Sequence, residues 1–300
     1  MKKKLLLFTF TILLLLGLFI VKLSLDSERI PVLTYHHISE NKDERSPITI
    51  APEKFEEDML YLKALGYNTI NFKDLILHRE GKNSLPENPI IVTFDDGYRS
   101  NYTYAYPILK KLKMKAVISI IGNLIDVSSN TDYDFMLTWD QLKEMVDSNV
   151  IEVQSHSYNL HTWGDKINTP RGASKIANEN NKEYEARFRK DTQTLLDQVH
   201  THLGTNLTMY TYPYGIYTDE SQKILKDMGF KGSLLGKTGI NSTSNGLSSL
   251  KRINMVGGTS SPTLMRKILL LQVRPKKIPF SNLDSSSERL EKLREQFKTQ

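Results

Sequence analysis

Ile90-Ile91-Val92-Thr93-Phe94-Asp95-Asp96-Gly97 is the stretch that decides the fold. Its first five residues are apolar or β-branched without alternation, the pattern of a strand buried on both faces of a parallel sheet. The run then ends abruptly in two carboxylates and a glycine. Strands of βα folds carry their active-site residues at the carboxyl end, which is where this acidic pair falls. Adjacent residues on a strand point to opposite sides, so the two acids are expected to have different jobs. Near a cation, one can ligate while the other stays free as a base. The block alone leaves a plainer reading open, since Asp caps helices and Asp-Gly forms routine turns.

Outward from this strand the pattern alternates. Upstream, Pro31 to Tyr35 reads as a short apolar strand. Phe55, Met59, Leu62 and Leu65 fall at helical spacing between Pro52 and Leu65, with Gly66 as a stop. A strand over 67–72 and a short helix over 73–78 lead back to the central run. Downstream, the residues predict a helix over 101–112, a strand over 116–121, a helix over 138–147 and a strand over 151–154. A polar loop over 163–181 follows, then a long helix over 183–203, a strand over 207–212, a helix over 219–228 and a strand over 231–235. Repeated βα units favour a parallel sheet or barrel. The charges over 285–300 alternate at helical spacing and predict a solvated helix or a frayed end.

Two further strand ends carry chemistry. Ser155-His156-Ser157-Tyr158-Asn159-Leu160-His161 places two imidazoles five residues apart. They converge on one ion if the chain turns out of the strand between them. A lone histidine is more often a structural hydrogen bonder. Together with Asp96, however, the pair supplies two nitrogens and a carboxylate and leaves positions for water and substrate, as a catalytic site requires. In Thr211-Tyr212-Pro213-Tyr214-Gly215, proline and glycine bracket a turn whose backbone N–H groups can face a developing oxyanion. A simple turn after a strand fits those residues equally well.

The chain has 300 residues, 39% hydrophobic and 25% charged, enough for one catalytic domain with a large core or two small domains. Its formal net charge is +6, but Lys and Arg are scattered and match no nucleic-acid motif. No nucleic-acid partner is expected; an anionic cell wall or membrane surface suits the charge better. Cysteine is absent, which excludes disulfides, thiolate metal sites and lipid-modified cysteine. Met1-Lys2-Lys3-Lys4 precedes an apolar run from Leu5 to Val21, followed by Lys22. Positive residues ahead of such a run are an export pattern, and no small-x-small cleavage site follows it. An uncleaved membrane-anchor helix is the first expectation and a cleaved signal peptide the second. The expected layout is an anchor or signal peptide over 1–25, a catalytic domain over 26–275 and a charged tail over 276–300. The expected location is a bacterial cell membrane with the catalytic domain outside, or secretion, and the expected state is a monomer.

Thr93-Phe94-Asp95-Asp96-Gly97, the His156/His161 pair and Tyr212-Pro213-Tyr214-Gly215, in this order, resemble the polysaccharide deacetylase family (carbohydrate esterase family four). That family includes chitooligosaccharide, peptidoglycan and biofilm poly-N-acetylglucosamine deacetylases. The likeness runs roughly from Pro31 to Asn254. It implies an α/β fold, a distorted (β/α) barrel, and Asp95 as catalytic base. It also implies one divalent metal ion on Asp96, His156 and His161. Zinc is expected first, and cobalt, nickel or iron suit the same ligands. The turn residues Tyr212, Pro213 and Tyr214 would border substrate, with the Tyr214 backbone N–H on the oxyanion. The five-residue histidine spacing with Leu160, and Tyr35-His36 on the first strand, resemble the poly-β-1,6-N-acetylglucosamine branch. There the motifs are circularly rearranged, and a histidine after the first strand acts as general acid, the role implied for His36.

Two departures stand out. No histidine follows His202, so the Leu-x-x-His acid of many members is missing. The arginine that often precedes the Pro-Tyr-Gly turn is replaced by Thr211 and Tyr212, which leaves open what orients Asp95. His37, His78, His200 and His202 have no partner motif and read as neighbours, surface or packing residues. Trp139, Trp163, Tyr158 and Tyr214 are candidates to stack on sugar rings, with a core position equally consistent for Trp139. The resemblance implies metal-dependent removal of N-acetyl groups from an extracellular N-acetylglucosamine polymer, with the biofilm polymer first and peptidoglycan second. An acetyl-ester hydrolase on acetylated glycans and a non-catalytic glycan-binding surface protein are the alternatives. A two-His-one-carboxylate iron oxygenase has a similar ligand set but is disfavoured by the βα alternation.

Overall fold

Seven parallel strands follow one another around a closed barrel: β1 (Val32–Tyr35), β2 (Pro89–Asp96), β3 (Ala116–Ile120), β4 (Ile151–Ser155), β5 (Met209–Thr211), β6 (Gly232–Thr238) and β7 (Leu250–Asn254). Closure comes from β1, which pairs with β2 through Val32↔Ile91 to Tyr35↔Phe94 and with β7 through Ile253↔Leu33. The computed structural model describes residues 29–41, 46–127, 135–162, 172–257, 260–263, 268, 288 and 291–295. The N-terminal apolar run, Trp163 and most of the tail expected over 276–300 lie outside these residues. Among the described residues, no helix is long and apolar enough to cross a membrane.

The barrel is distorted in two places. Between β6 and β7 the register slips, from Leu234↔Leu250 to Thr238↔Arg252, and β4 meets β5 through the single pair Ser155↔Tyr210. Three tiers of inward side chains rise from the amino to the carboxyl ends of the strands. The lowest is apolar, with Val32, Ile91, Val117, Met209, Leu234 and Leu250 in one cluster. Above it sit hydroxyls that satisfy one another, Thr34 with Thr93 at 3.1 Å and Ser119 with Thr211 at 2.8 Å. The upper tier carries charge, Asp95 on β2 and Arg252 on β7. The polarity gradient removes the desolvation cost of charge everywhere except where charge is used.

Helices cover the outside: α1 (Pro52–Ala64), α2 (Phe72–Arg79), α3 (Tyr106–Leu112), α4 (Trp139–Asp147), α5 (Asn181–Leu203) and α6 (Asp219–Asp227). Four of them start on reciprocal capping boxes, Asn71/Asp74, Thr138/Gln141, Asn180/Glu183 and Thr218/Ser221, which fix where each begins. The helix expected over 101–112 is instead a π-type turn over Asn101–Ala105 followed by α3. Pro107 lacks an N–H and cannot complete the α-helical ladder there, and the Tyr106 N–H bonds back to the Asn101 carbonyl. The strand expected over 67–72 shrinks to Asn68–Thr69, because Asn71 caps α2. Within the expected tail, residues 291–295 are helical, with Leu293 against the core and Arg294 on Glu57, so this part is docked.

Candidate active site

The acidic, imidazole and turn candidates stand at or just beyond the carboxyl ends of barrel strands. Asp95 and Asp96 end β2, and both face the same pocket, contrary to the alternation expected for adjacent strand residues. The reason is local: Asp96 has φ +74° and Gly97 φ +93°, so the chain leaves the pleat between the two acids. Asp tolerates this left-handed conformation better than most residues, at a cost of about 1–2 kcal/mol. As a result, His156 Nε2 lies 3.9 Å from Asp95 Oδ2 and 3.4 Å from Asp96 Oδ1.

His156 follows β4, its N–H bonded to the Ile120 carbonyl at 2.9 Å. Its Nδ1 lies 2.8 Å from the Thr211 carbonyl, which can only accept, so Nδ1 carries the hydrogen and Nε2 presents its lone pair to the pocket. Ser157, at φ +77°, then turns the chain, and His161 returns with Nε2 at 3.5 Å from the same Asp96 Oδ1. One donor atom from each of Asp96, His156 and His161 lies within 4.8 Å of the others.

That donor set fits a divalent ion. Asp96 Oδ1 is buried and has no hydrogen-bond partner among the described residues, although two imidazole nitrogens face it. Tetrahedral zinc bonds of roughly 2.0–2.2 Å place ligand atoms about 3.4 Å apart, close to the two spacings seen here. The electrostatics agree. Burial disfavours a charged His156, yet Asp95 and Asp96 together hold its imidazole above the ordinary value, a sign that the pocket attracts positive charge. His161 is pushed down to about 4, by burial first and His156 second, so its nitrogen is an available ligand at neutral pH. Burial pushes the Asp96 carboxyl up, but His156, His161 and His36 outweigh it and leave the group below the carboxylate range.

Asp95, 2% exposed, is held differently. Arg252 Nη1 donates to both carboxylate oxygens at 2.8 and 2.6 Å, and Arg252 Nε donates to the Leu235 carbonyl at 2.8 Å. Burial raises the Asp95 carboxyl, while the Arg252 guanidinium, His156 and His36 bring it below its ordinary value. Arg252 is the functional residue that sequence reasoning missed, on a strand it also missed. The signal was present in outline: a buried acid whose usual arginine is absent requires another cation.

His36 follows β1 with its side chain 18% exposed, and its Nε2 lies 3.9 Å from Asp95 Oδ2. Tyr214 sits on the turn after β5 at φ +57°, its ring centroid 4.2 Å from that of His161. Pro213 is buried in that turn. The Tyr212 side chain points into the core, where its hydroxyl accepts from Ser221 at 3.3 Å. His37 contacts Ser100 and the Tyr98 ring, and Trp139 stacks on His202 with ring centroids 4.5 Å apart, away from the pocket. Beside the pocket runs a groove of about 370 Å³ lined by His37, Glu40, Asn41, Arg99 and Phe135 among others. The Phe135 ring, 44% exposed, stacks on Tyr98 at 5.7 Å.

Comparison with known proteins agrees with this geometry. A family model described as polysaccharide deacetylase matches residues 82–233. The putative polysaccharide deacetylase YxkH of Bacillus subtilis is 32% identical over 234 residues, covering 77% of this chain and 73% of that protein. The poly-beta-1,6-N-acetyl-D-glucosamine N-deacetylase of Escherichia coli is 23% identical over 273 residues, covering 84% of this chain but only 40% of the relative's length. Among solved structures, a de-N-acetylase from Aggregatibacter actinomycetemcomitans superposes with a TM-score of 0.71 at 25% identity, covering 80% of this chain and 99% of that one.

Proposed function

The chain belongs to the polysaccharide deacetylase family, and from that premise we propose that it is a metal-dependent hydrolase removing N-acetyl groups from an N-acetylglucosamine polymer outside the cytoplasm. The first substrate is poly-β-1,6-N-acetylglucosamine, the polymer in the name of the E. coli relative; peptidoglycan is second. The single observation that carries the reading is the pairing of Asp95 with a separate three-donor cluster. One acid is held by a guanidinium, and the other is turned toward two imidazoles.

Asp96, His156 and His161 would hold the ion, zinc first. Held there, such an ion would supply Lewis-acid polarisation of the acetyl carbonyl and a lowered pKa for water. Asp95 takes the proton of the attacking water. Arg252 keeps that carboxylate ionised and fixes both of its oxygens, so the base needs no reorganisation when water arrives. The Tyr214 backbone N–H donates to the oxygen of the tetrahedral intermediate. A sugar amine leaves poorly unless protonated, and His36, with Nε2 3.9 Å from Asp95 Oδ2, supplies that proton. A polymer also needs room for the residues flanking the one that reacts. The groove lined by His37, Glu40, Asn41, Arg99 and the exposed Phe135 ring offers such room. An N-terminal anchor that presents the barrel outside the cell completes the proposal.

The test is acetate release by the full chain in detergent, from poly-β-1,6-N-acetylglucosamine and from peptidoglycan oligomers, with and without chelator and added zinc. Chelator-sensitive release from one polymer is expected. In Asp95→Asn, kcat should fall by about 10²–10⁴, the usual worth of a general base, with zinc still bound. Loss of zinc from that variant would refute the division of labour between the two acids. No release from either polymer by zinc-loaded protein would refute the substrate class and favour an acetyl ester.

A further inference from the structure

The loop between the two histidines is fixed from both sides. On one side, the Ser157 and Tyr158 carbonyls accept from the N–H groups of Gly122 at 3.1 Å and Asn123 at 3.0 Å, in the turn after β3. On the other side stands one carboxylate. Asp191, midway along α5 and buried, accepts from the Tyr158 N–H at 2.9 Å through Oδ2 and from the Asn159 N–H at 2.7 Å through Oδ1. Within the loop, the Leu160 N–H donates to Ser157 Oγ at 3.0 Å and the Ser157 N–H to Ser155 Oγ at 3.2 Å. Packing closes the arrangement: a Cβ added at Gly122 would come within 2.6 Å of Leu195, one turn after Asp191 on α5, and 2.8 Å of Tyr158.

A buried carboxylate is expensive without charge-assisted partners, and this one spends both oxygens on two successive amides of a single loop. It does not cap its own helix, because α5 begins at Asn181 and is capped by Asn180. An apolar residue would avoid that cost but leave the Tyr158 and Asn159 N–H groups without their acceptor. The carboxylate is present where its two bonds hold the only chain that joins His156 to His161.

We propose that Asp191 is a positioning residue for the metal centre: from α5 it grips the loop between His156 and His161 and sets how far apart the two imidazoles stand. The inference rests on the metal reading above and adds a residue outside the family's acidic, histidine and turn motifs. Asn at 191 offers one acceptor and one donor. It loses one of the two bonds and turns an NH₂ toward an N–H, letting the loop shift. Outer partners that orient metal ligands are typically worth about 10–100-fold in affinity.

The experiment measures zinc affinity of the full chain by competition with a chromophoric chelator, together with the visible absorption of the cobalt-loaded protein and the melting of the metal-free protein. Asp191→Asn should bind zinc about 10–100-fold more weakly and show an altered cobalt band. Asp197→Asn, an exposed acid on the same helix, should match wild type in both. Wild-type affinity and an unchanged band in Asp191→Asn would overturn the proposal, whatever happens to the metal-free melting point. Should that variant not fold, Asp191→Glu keeps both acceptors but displaces them by one methylene. It should then show the weakened affinity and shifted band, and wild-type behaviour there would overturn the proposal equally. Absence of zinc binding in wild type, or its survival in His156→Ala, would remove the metal reading itself and the inference with it.

Discussion

At Asp95 the deciding quantity is the cost of an ionised carboxylate that is only 2% exposed. Removing one partner of a buried ion pair typically costs about 3–5 kcal/mol, since the remaining charge is left unpaired. Arg252→Met should therefore lose stability on that scale, read by thermal unfolding. Arg252→Lys separates charge from orientation. An ammonium can reach the carboxylate but lacks the rigid planar fork that ties it to the Leu235 carbonyl in fixed directions, so most stability should return while kcat stays about 10–100-fold low with KM little changed. Equal recovery of stability and turnover in the lysine variant would mean that Arg252 supplies only charge. The residue scale is also where the sequence was most and least legible. Asp95, Asp96, His156 and His161 stood out because strand ends and spacing advertise them, and the structure brings all four together. Arg252 did not, because an arginine gains meaning only from the acid it meets 157 positions away.

At the scale of elements, β2 was readable and β7 was not, for a physical reason. Every residue of β2 is buried, whereas Leu250-Lys251-Arg252-Ile253-Asn254 turns Lys251 and Asn254 to solvent and points an arginine inward. That pattern is neither an apolar run nor an apolar/polar alternation, so periodicity cannot find it. The turn after β5 is the element on which Tyr214 depends, and its geometry demands glycine twice over. Gly215 has φ +70°, and a Cβ there would meet Gly236 N at 2.5 Å, on the irregular stretch of β6. Gly204, at the end of α5, has a similar φ of +65° but nothing within 4 Å of an added Cβ. Gly204→Ala should thus cost only the left-handed backbone penalty, about 1–2 kcal/mol. Gly215→Ala should cost clearly more and also lower kcat, because the backbone clash displaces the turn beside His161. Equal melting losses in the two variants, with turnover intact, would detach the turn from the reaction.

For the whole molecule, the tiers of the barrel explain why the proposed ion should matter to folding as well as to chemistry. The apolar and hydroxyl tiers are complete in themselves, while in the upper tier the buried Asp96 Oδ1, between two imidazoles, has no hydrogen-bond partner among the described residues. Its ligands arrive from the end of β2 and from the loop after β4, so an ion there ties together strands that β3 otherwise separates. A ligand that binds only the folded state stabilises it by RT ln(1 + [L]/Kd), about 4 kcal/mol at a free concentration a thousandfold above Kd. At about 2–4 °C per kcal/mol for chains of roughly 150–250 residues, saturating zinc should raise the melting point of chelator-treated protein by on the order of 10 °C. Asp95→Asn should show nearly the same rise, because Asp95 belongs to Arg252 and not to the ion, whereas His161→Ala should show little. A wild-type melting point indifferent to chelator and zinc would leave the upper tier with an unsatisfied carboxylate oxygen and no ion to satisfy it. The division of the two acids into base and ligand would then have to be abandoned.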